Sequence, residues 1–442
     1  MTKLTFEKSI AFGQRLEQLI PGGAHTYSKG RDQFPVLAPN GIVRGKGALV
    51  WDQDGNEFVD WGMGLTSVSI GHAYDPVDDA VCDAIRKGVN FPRPAALELE
   101  AAETLLDAVG VDGMVKFAKH GSTVTTAAVK LARAKTGRNL VACPLEQPFF
   151  SFDDWFIGTT LVNFGILDRI KETTKRFRYD DIDDLNKLFS THPDEIACVI
   201  MEPIKFAHPR DRYLQEVKEL CHSNGALLIF DEMVTGCKWA VGGGQKYFGV
   251  RADLSTWGKG IANGYACAAL VGDPDIMRLG GIEEERTGER KLFLISTTHG
   301  AESSGLAAMI ATLDAFKQHD MINHNWQLGK KLKTSLQKII DDNKLSKFLR
   351  LTGDPCLFAL ETLGHDGQLD LVMRTYWMET MIANGVCSQG LFMPTTSHDE
   401  SVVATTLKAF SAAAITYKEG LESNDGLKLT GPAIKPVFRA HI

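Results

Sequence analysis

From about residue 95 the chain alternates short apolar runs with stretches of helical periodicity. The runs are "NLVAC", "IACVIMEP", "ALLIFDEM" and "AALVGD"; the helical stretches include "ALELEAAETLLDAV" and "TTAAVKLARAKTG". This alternation constrains the fold more than any other feature. An unbroken apolar strand is one buried on both faces, and strands spaced by helix-length segments are joined by crossovers. The pattern therefore predicts an α/β protein with a mostly parallel central sheet covered by helices.

At 442 residues the chain suits a large domain plus a smaller one. After "SSGLAAMIATLDAFKQHD" comes a long helix, "MINHNWQLGKKLKTSLQKIIDDN", and the last hundred or so residues mix strands and helices. We divide the chain into three segments. Residues 1–95 form an N-terminal helix and hairpin segment that packs with the small lobe, residues 96–316 the large domain, and residues 317–442 a smaller α+β domain. The opening helix is amphipathic and stops at Pro21-Gly22-Gly23; its acids and lack of an apolar centre do not suit a signal peptide. In "GIVRGKGALVWDQDGNEFVDWG" two alternating runs flank Asp54-Gly55, a hairpin signal. "DQDGNE" resembles the start of a calcium loop, but Met63 stands at the twelfth position, where such a loop needs a bidentate Glu.

A net charge of -7, with no long basic run, argues against nucleic acid as a partner. No apolar stretch reaches the length of a membrane span. The 8 cysteines are scattered and form no C-x-x-C pair, which excludes zinc-type spacing and a compact disulfide framework. A cytoplasmic location is expected.

The chemistry gathers at strand ends. "IACVIMEP" and "ALLIFDEM" are joined by a helix closed by Gly225, and they end in Glu202 and in Asp231-Glu232. Ligands of open parallel sheets bind beyond the carboxyl ends of strands. Acids there also serve as ordinary helix caps. Lys259, in "STWGKGIANG", sits at another strand-to-turn junction between two glycines. A lysine whose pKa is lowered by burial or nearby cations is free to form a Schiff base, although most lysines are solvated surface groups. In "KHGSTVTTAAVKLARAKTGR", Gly121, Ser122 and Thr123 open a helix whose first amides suit a phosphate, or make a plain N-cap. A phosphate cup, a strand-end Asp and a reactive amine together are what pyridoxal 5'-phosphate needs: the amine holds the aldehyde, and the acid pairs with the ring nitrogen.

"IFDEMVTG" followed by "STWGKGIANG" resembles the cofactor core of the class III (subgroup II) aminotransferases, most closely their glutamate-1-semialdehyde aminomutase branch. The likeness extends to "PGGAHTYSKG", "DQDGNEFVDW", "SIGHAYDPV", "MEP" and "STTHGAESSGLAAMIATL". It implies the pyridoxal-phosphate transferase fold of type I, with residues 96–316 as the cofactor domain. By the same resemblance Lys259 is the Schiff-base lysine and Asp231 the partner of the pyridine nitrogen. Met233 stands where the family usually has Val beneath the ring. Gly121 and Ser122 match the phosphate site, and Thr298 matches a Thr that reaches the neighbouring subunit's phosphate. That last role implies a homodimer with shared active sites.

The chain also departs from the family. "EQPFFSFDDW" replaces an aromatic followed by His-Gly, so Phe149 or Phe150 is the ring-stacking candidate and no His accompanies it. Thr123 stands in place of a Glu. Lys29, with Arg31 close by, stands where the aminomutases use an Arg to grip the substrate carboxylate, and Glu202 is a further substrate candidate. Lys is a point charge and Arg a bidentate fork, so that exchange is not neutral.

The expected function is transfer of an amino group from a small-molecule donor to an aldehyde or ketone acceptor. A true aminomutase is the second reading, and a non-catalytic regulator on the same scaffold comes from another class. A dinucleotide-dependent oxidoreductase is disfavoured, because "GKGIANG" has its last glycine one residue late for G-x-G-x-x-G. His299 reads as a turn residue, and "WAVGGGQKYFGV" as a mobile loop over the site.

Overall fold

The structure, a computed structural model, describes residues 4–282, 290–423 and 426–439. The chain divides into two compact units. Among the described residues one comprises 4–66, 70–74 and 323–439, and the other 67–69 and 75–322. Residues 75–95, assigned above to the N-terminal segment, cluster with the larger unit. The reason is packing: α1 (Asp75–Lys87) and α2 (Ala96–Val109) both lie against α7 (Ser303–Gln318).

The larger unit is built on seven strands: β1 (Met114–Ala118), β2 (Leu140–Pro144), β3 (Thr174–Phe177), β4 (Ile196–Met201), β5 (Leu227–Asp231), β6 (Leu254–Trp257) and β7 (Ala268–Gly272). They lie in the order β1-β7-β6-β5-β4-β2-β3. Only β7 runs against its neighbours β1 and β6; the remaining pairings are parallel. The apolar runs of the sequence are β2, β4, β5 and β7, and every residue of β4 is buried. Alternate residues of β4 enter different cores. Cys198 and Ile200 pack with α3 (Gly121–Thr136), while Val199 and Met201 pack with α4 (Ile182–Thr191) and α5 (Tyr213–Ser223). Burial on both faces is why these strands are continuously apolar.

Register carries the acids to one edge. Met201 of β4 faces Phe230 of β5, and Asp231 of β5 faces Thr256 of β6. Glu202 therefore stands level with Asp231, and Lys259 follows three residues beyond Thr256.

In the smaller unit the expected hairpin forms. Leu49–Asp52 pairs antiparallel with Glu57–Asp60, which pairs in parallel with Val386–Cys387. The two aspartates of "DQDGNE" are taken by the backbone. Asp52 Oδ1 accepts from the amides of Asp54 and Asn56, and the Asp54 carboxylate accepts from those of Lys8 and Ser9 at the start of helix Glu7–Leu19. Among the described residues no group of His, Cys, Asp or Glu could hold a metal ion, and no helix is long and apolar enough to cross a membrane.

Candidate active site

β5 delivers Asp231 into the interior, where it is 3 % exposed. Its Oδ1 accepts from the Met233 amide at 3.1 Å and from the Thr256 hydroxyl at 3.0 Å. Among the described residues no donor reaches Oδ2. Burial, with the charge of Glu202 second, pushes the Asp231 carboxyl up to about 7, which leaves it receptive to a cationic partner.

The chain leaves β6 through Gly258 and enters a short 3-10 turn, Lys259–Ala262. Lys259 takes a left-handed backbone, φ 48°, which is costly for a residue with a side chain and marks a position held by its surroundings. Ser69 helps to hold it, donating its hydroxyl hydrogen to the Gly260 carbonyl at 2.5 Å. Lys259 lies deep in the protein yet its side chain remains open to solvent, so it projects into a concavity. Its amine is pushed down, first by burial; Lys205 lowers it further, while Glu202 and Asp231 oppose the shift. A lowered amine pKa frees the lone pair for attack on a carbonyl carbon.

Met233 links these groups to the start of α3. A Cβ placed on Gly258 would lie 2.6 Å from Met233 Sδ, and one on Gly121 3.1 Å from it. At both glycines an added carbon would press on the same Met233 side chain, hardest at Gly258. At the start of α3 the cap is His120, not Ser122 or Thr123. The Thr123 amide donates to the His120 carbonyl at 3.2 Å, and the Thr123 hydroxyl lies 3.2 Å from the imidazole. Ser122 Oγ accepts from the Phe152 amide at 3.0 Å. The amides of Gly121 and Ser122 meet no acceptor among the described residues, as an anion site at a helix start requires.

Several expectations change in the structure. Phe150 is core, 2 % exposed and edge-on to Phe156 with ring centroids 5.5 Å apart, whereas Phe149 is 47 % exposed. Glu202, the further substrate candidate, is 2 % exposed; its Oε1 accepts from Lys205 and its Oε2 is buried. Glu232 turns away from Asp231: its carboxylate accepts from the Thr235 hydroxyl and the amides of Gly244 and Gln245. That anchorage makes "WAVGGGQKYFGV" a fastened turn with a short helix, α6 (Gly243–Phe248), instead of a mobile loop. Thr298 and His299 are exposed, and the Thr298 carbonyl accepts from Asn90 Nδ2 at 3.1 Å. Lys29 and Arg31 belong to the other unit and are exposed there; Arg31 pairs with Glu17 at 2.8 Å. Sequence reasoning missed Thr256 and Lys205. Counting parallel register from Asp231 finds the first, and the three-residue spacing after Glu202 hints at the second.

An amine in a concavity, a buried carboxylate with one open oxygen and two free helix-start amides are the fittings of a pyridoxal-phosphate site on a mostly parallel α/β scaffold. The comparisons agree. The profile of the family Aminotransferase class-III matches residues 27–387. The 3-aminobutyryl-CoA aminotransferase of Cloacimonas acidaminovorans is 30% identical, covering 88% of this chain and 91% of its own. The glutamate-1-semialdehyde 2,1-aminomutase of Methanothrix thermoacetophila is 28% identical, covering 92% and 96%. Among solved structures, the FumI protein of Sphingopyxis sp. MTA144, determined with pyridoxal phosphate, superposes with a TM-score of 0.84 at 23% identity, covering 94% of this chain and 97% of its own. The chain belongs to the class-III aminotransferase family. It is a pyridoxal-phosphate-dependent aminotransferase or aminomutase.

Proposed function

We propose that this chain transfers an amino group between two small molecules, with Lys259 as the catalytic amine and Asp231 as the partner of the cofactor's ring nitrogen. The observation that carries the reading is the convergence of the two: a lowered amine and a carboxylate with an open Oδ2, brought together by the β5–β6 register. When bound, pyridoxal phosphate supplies an electrophilic carbon and an electron sink.

The rest follows from the chain's own side chains. Lys259 would hold the cofactor through its amine and would move a proton at the substrate carbon that bears nitrogen. Asp231 Oδ2 would accept from the ring nitrogen, and the Thr256 and Met233 donors on Oδ1 favour the ionised carboxylate. The amides of Gly121 and Ser122 would hold the phosphate. Met233 would contact the ring, as would the exposed Phe149 in preference to core-bound Phe150. The hydroxyl of Thr123 is engaged by His120, so its role is to shape the helix start.

The protein acts as a homodimer in this reading, with Thr298 reaching the phosphate of the neighbouring subunit. Exposed Leu161, Phe164 and Leu167, within seven residues of one another, support a covered face. Lys29 and Arg31 are the candidates for substrate recognition, and the site lies in the cytoplasm. Aminomutase action is the second reading, supported by the aminomutase relative whose match runs over 92% of this chain. A 15N-labelled amino donor distinguishes the two. Transfer delivers the label to a different carbon skeleton; a mutase returns it to the same one. No label movement with any donor would defeat both.

A further inference from the structure

Glu202 and Lys205 stand beside the site without a part in the reading above. The side-chain amide of Gln147 fixes Glu202 much as a neighbouring strand would: Nε2 donates to the Glu202 carbonyl at 2.8 Å, and the Glu202 amide donates to Oε1 at 2.8 Å. The Glu202 carboxylate then points inward. Lys205 Nζ donates to its Oε1 at 3.1 Å. Its Oε2 is buried and meets no donor among the described residues. A buried carboxylate with one oxygen unengaged keeps a strong field, since neither water nor a hydrogen bond disperses it.

The parallel register sets that field level with Asp231, and both reactive groups feel it. Glu202 pushes the Asp231 carboxyl and the Lys259 amine up, and Lys205 pushes the amine down. Two other charged groups nearby, Glu232 and Lys238, are engaged elsewhere, and the Tyr179 hydroxyl, which feels Glu202, donates to the Pro203 carbonyl at 2.6 Å. Glu232 is spent on the turn before α6. Lys238 Nζ lies 3.5 Å from the Gly236 carbonyl and 3.1 Å from where a Gly260 Cβ would stand.

We propose that Lys205 is a positioning residue for amino transfer: its ammonium cancels the charge of Glu202 at the strand tips, so that Lys259 and Asp231 face a neutral pair in place of a bare buried anion. The inference rests on the roles given to Lys259 and Asp231 above. Without Lys205, the anion favours a proton on both groups. Asp231 then cannot hold a ring cation, and Lys259 can act neither as nucleophile nor as base. Removing both charges together restores the balance, an outcome that a merely structural lysine would not produce.

The test is a pH titration of the bound cofactor's absorbance in the holoenzyme, read beside kcat/KM over the same range. In Lys205→Met the titration midpoint is expected to rise by about one pH unit, a tenfold change in proton affinity. In Glu202→Gln it is expected to fall. The double variant returns close to the parent, and Lys205→Arg stays there. If Lys205→Met does not fold, the downward shift of Glu202→Gln carries the test. An unmoved midpoint in both single variants, or a double variant as displaced as Lys205→Met, would overturn the inference while the cofactor site stands. A parent protein with no cofactor band would overturn the site reading, and this inference with it.

Discussion

Thr256 and Asp231 face each other across neighbouring strands, and the Thr256 hydroxyl donates to Asp231 Oδ1 at 3.0 Å. With the Met233 amide this fills Oδ1 and leaves Oδ2 for a ligand. The bond also favours the ionised carboxylate against burial, which alone would drive it further toward neutrality. In Thr256→Val that support is lost, so the Asp231 carboxyl rises above about 7. The acid limb of the rate profile should move to higher pH, and cofactor affinity should fall by about 1–2 kcal/mol. Equilibrium dialysis and a pH–rate profile check both.

Gly258 is a site of close approach. Its backbone is extended, φ 175°, so an alanine is not strained there; the cost comes from Met233 Sδ, 2.6 Å from the added carbon. Gly258→Ala should weaken cofactor binding and lower stability by roughly 1–3 kcal/mol. Adding Met233→Val, which withdraws the sulfur, should recover most of the loss. Denaturation midpoints of the single and double variants measure this.

His398 makes the smaller unit acid-sensitive. It is buried, stacked on Trp61 at 3.9 Å, and its Nδ1 accepts from the Thr395 amide at 3.2 Å. Burial pushes its pKa down to about 4 from the ordinary 6.5. The unfolded chain therefore binds more protons between those values, and stability is lost as pH falls from 6.5 toward 4. The full effect is roughly 3 kcal/mol. Urea midpoints measured across that window should fall steadily, and less steeply in His398→Gln.

Phe164 is wholly exposed, with Leu161 and Leu167 beside it in sequence. If a second copy covers this face, Phe164→Asp shifts the protein toward monomer in sedimentation experiments, and if Thr298 serves the partner's site as proposed, activity falls with it. An unchanged sedimentation profile would detach this face from assembly.

Much of the fold was legible because strands covered on both faces leave unbroken apolar runs, as β4 and β5 do. β1, with three of its five residues only partly buried or exposed along "MVK", gave no such run and was not read as a strand. The places of Asp231 and Lys259 at the sheet edge were legible because each ends or follows a strand. What stayed hidden depends on contacts distant in sequence. Glu232 fastens the glycine-rich turn through amides twelve and thirteen residues on. Phe149 and Phe150 both lie edge-on to Phe156, and it is burial that separates them, Phe150 in the core and Phe149 exposed. Residues 75–95 join the larger unit through α7, more than two hundred residues later.

The central claim, that Lys259 is the amine which engages the cofactor, is tested most directly by reducing the holoenzyme with borohydride and mapping the modified peptide by mass spectrometry. The phosphopyridoxyl adduct is expected on Lys259 and nowhere else, and Lys259→Ala should lose both the adduct and at least about 10²–10⁴-fold of its turnover while remaining folded. An adduct on Lys205 or Lys238 instead, or full turnover in Lys259→Ala, would contradict it.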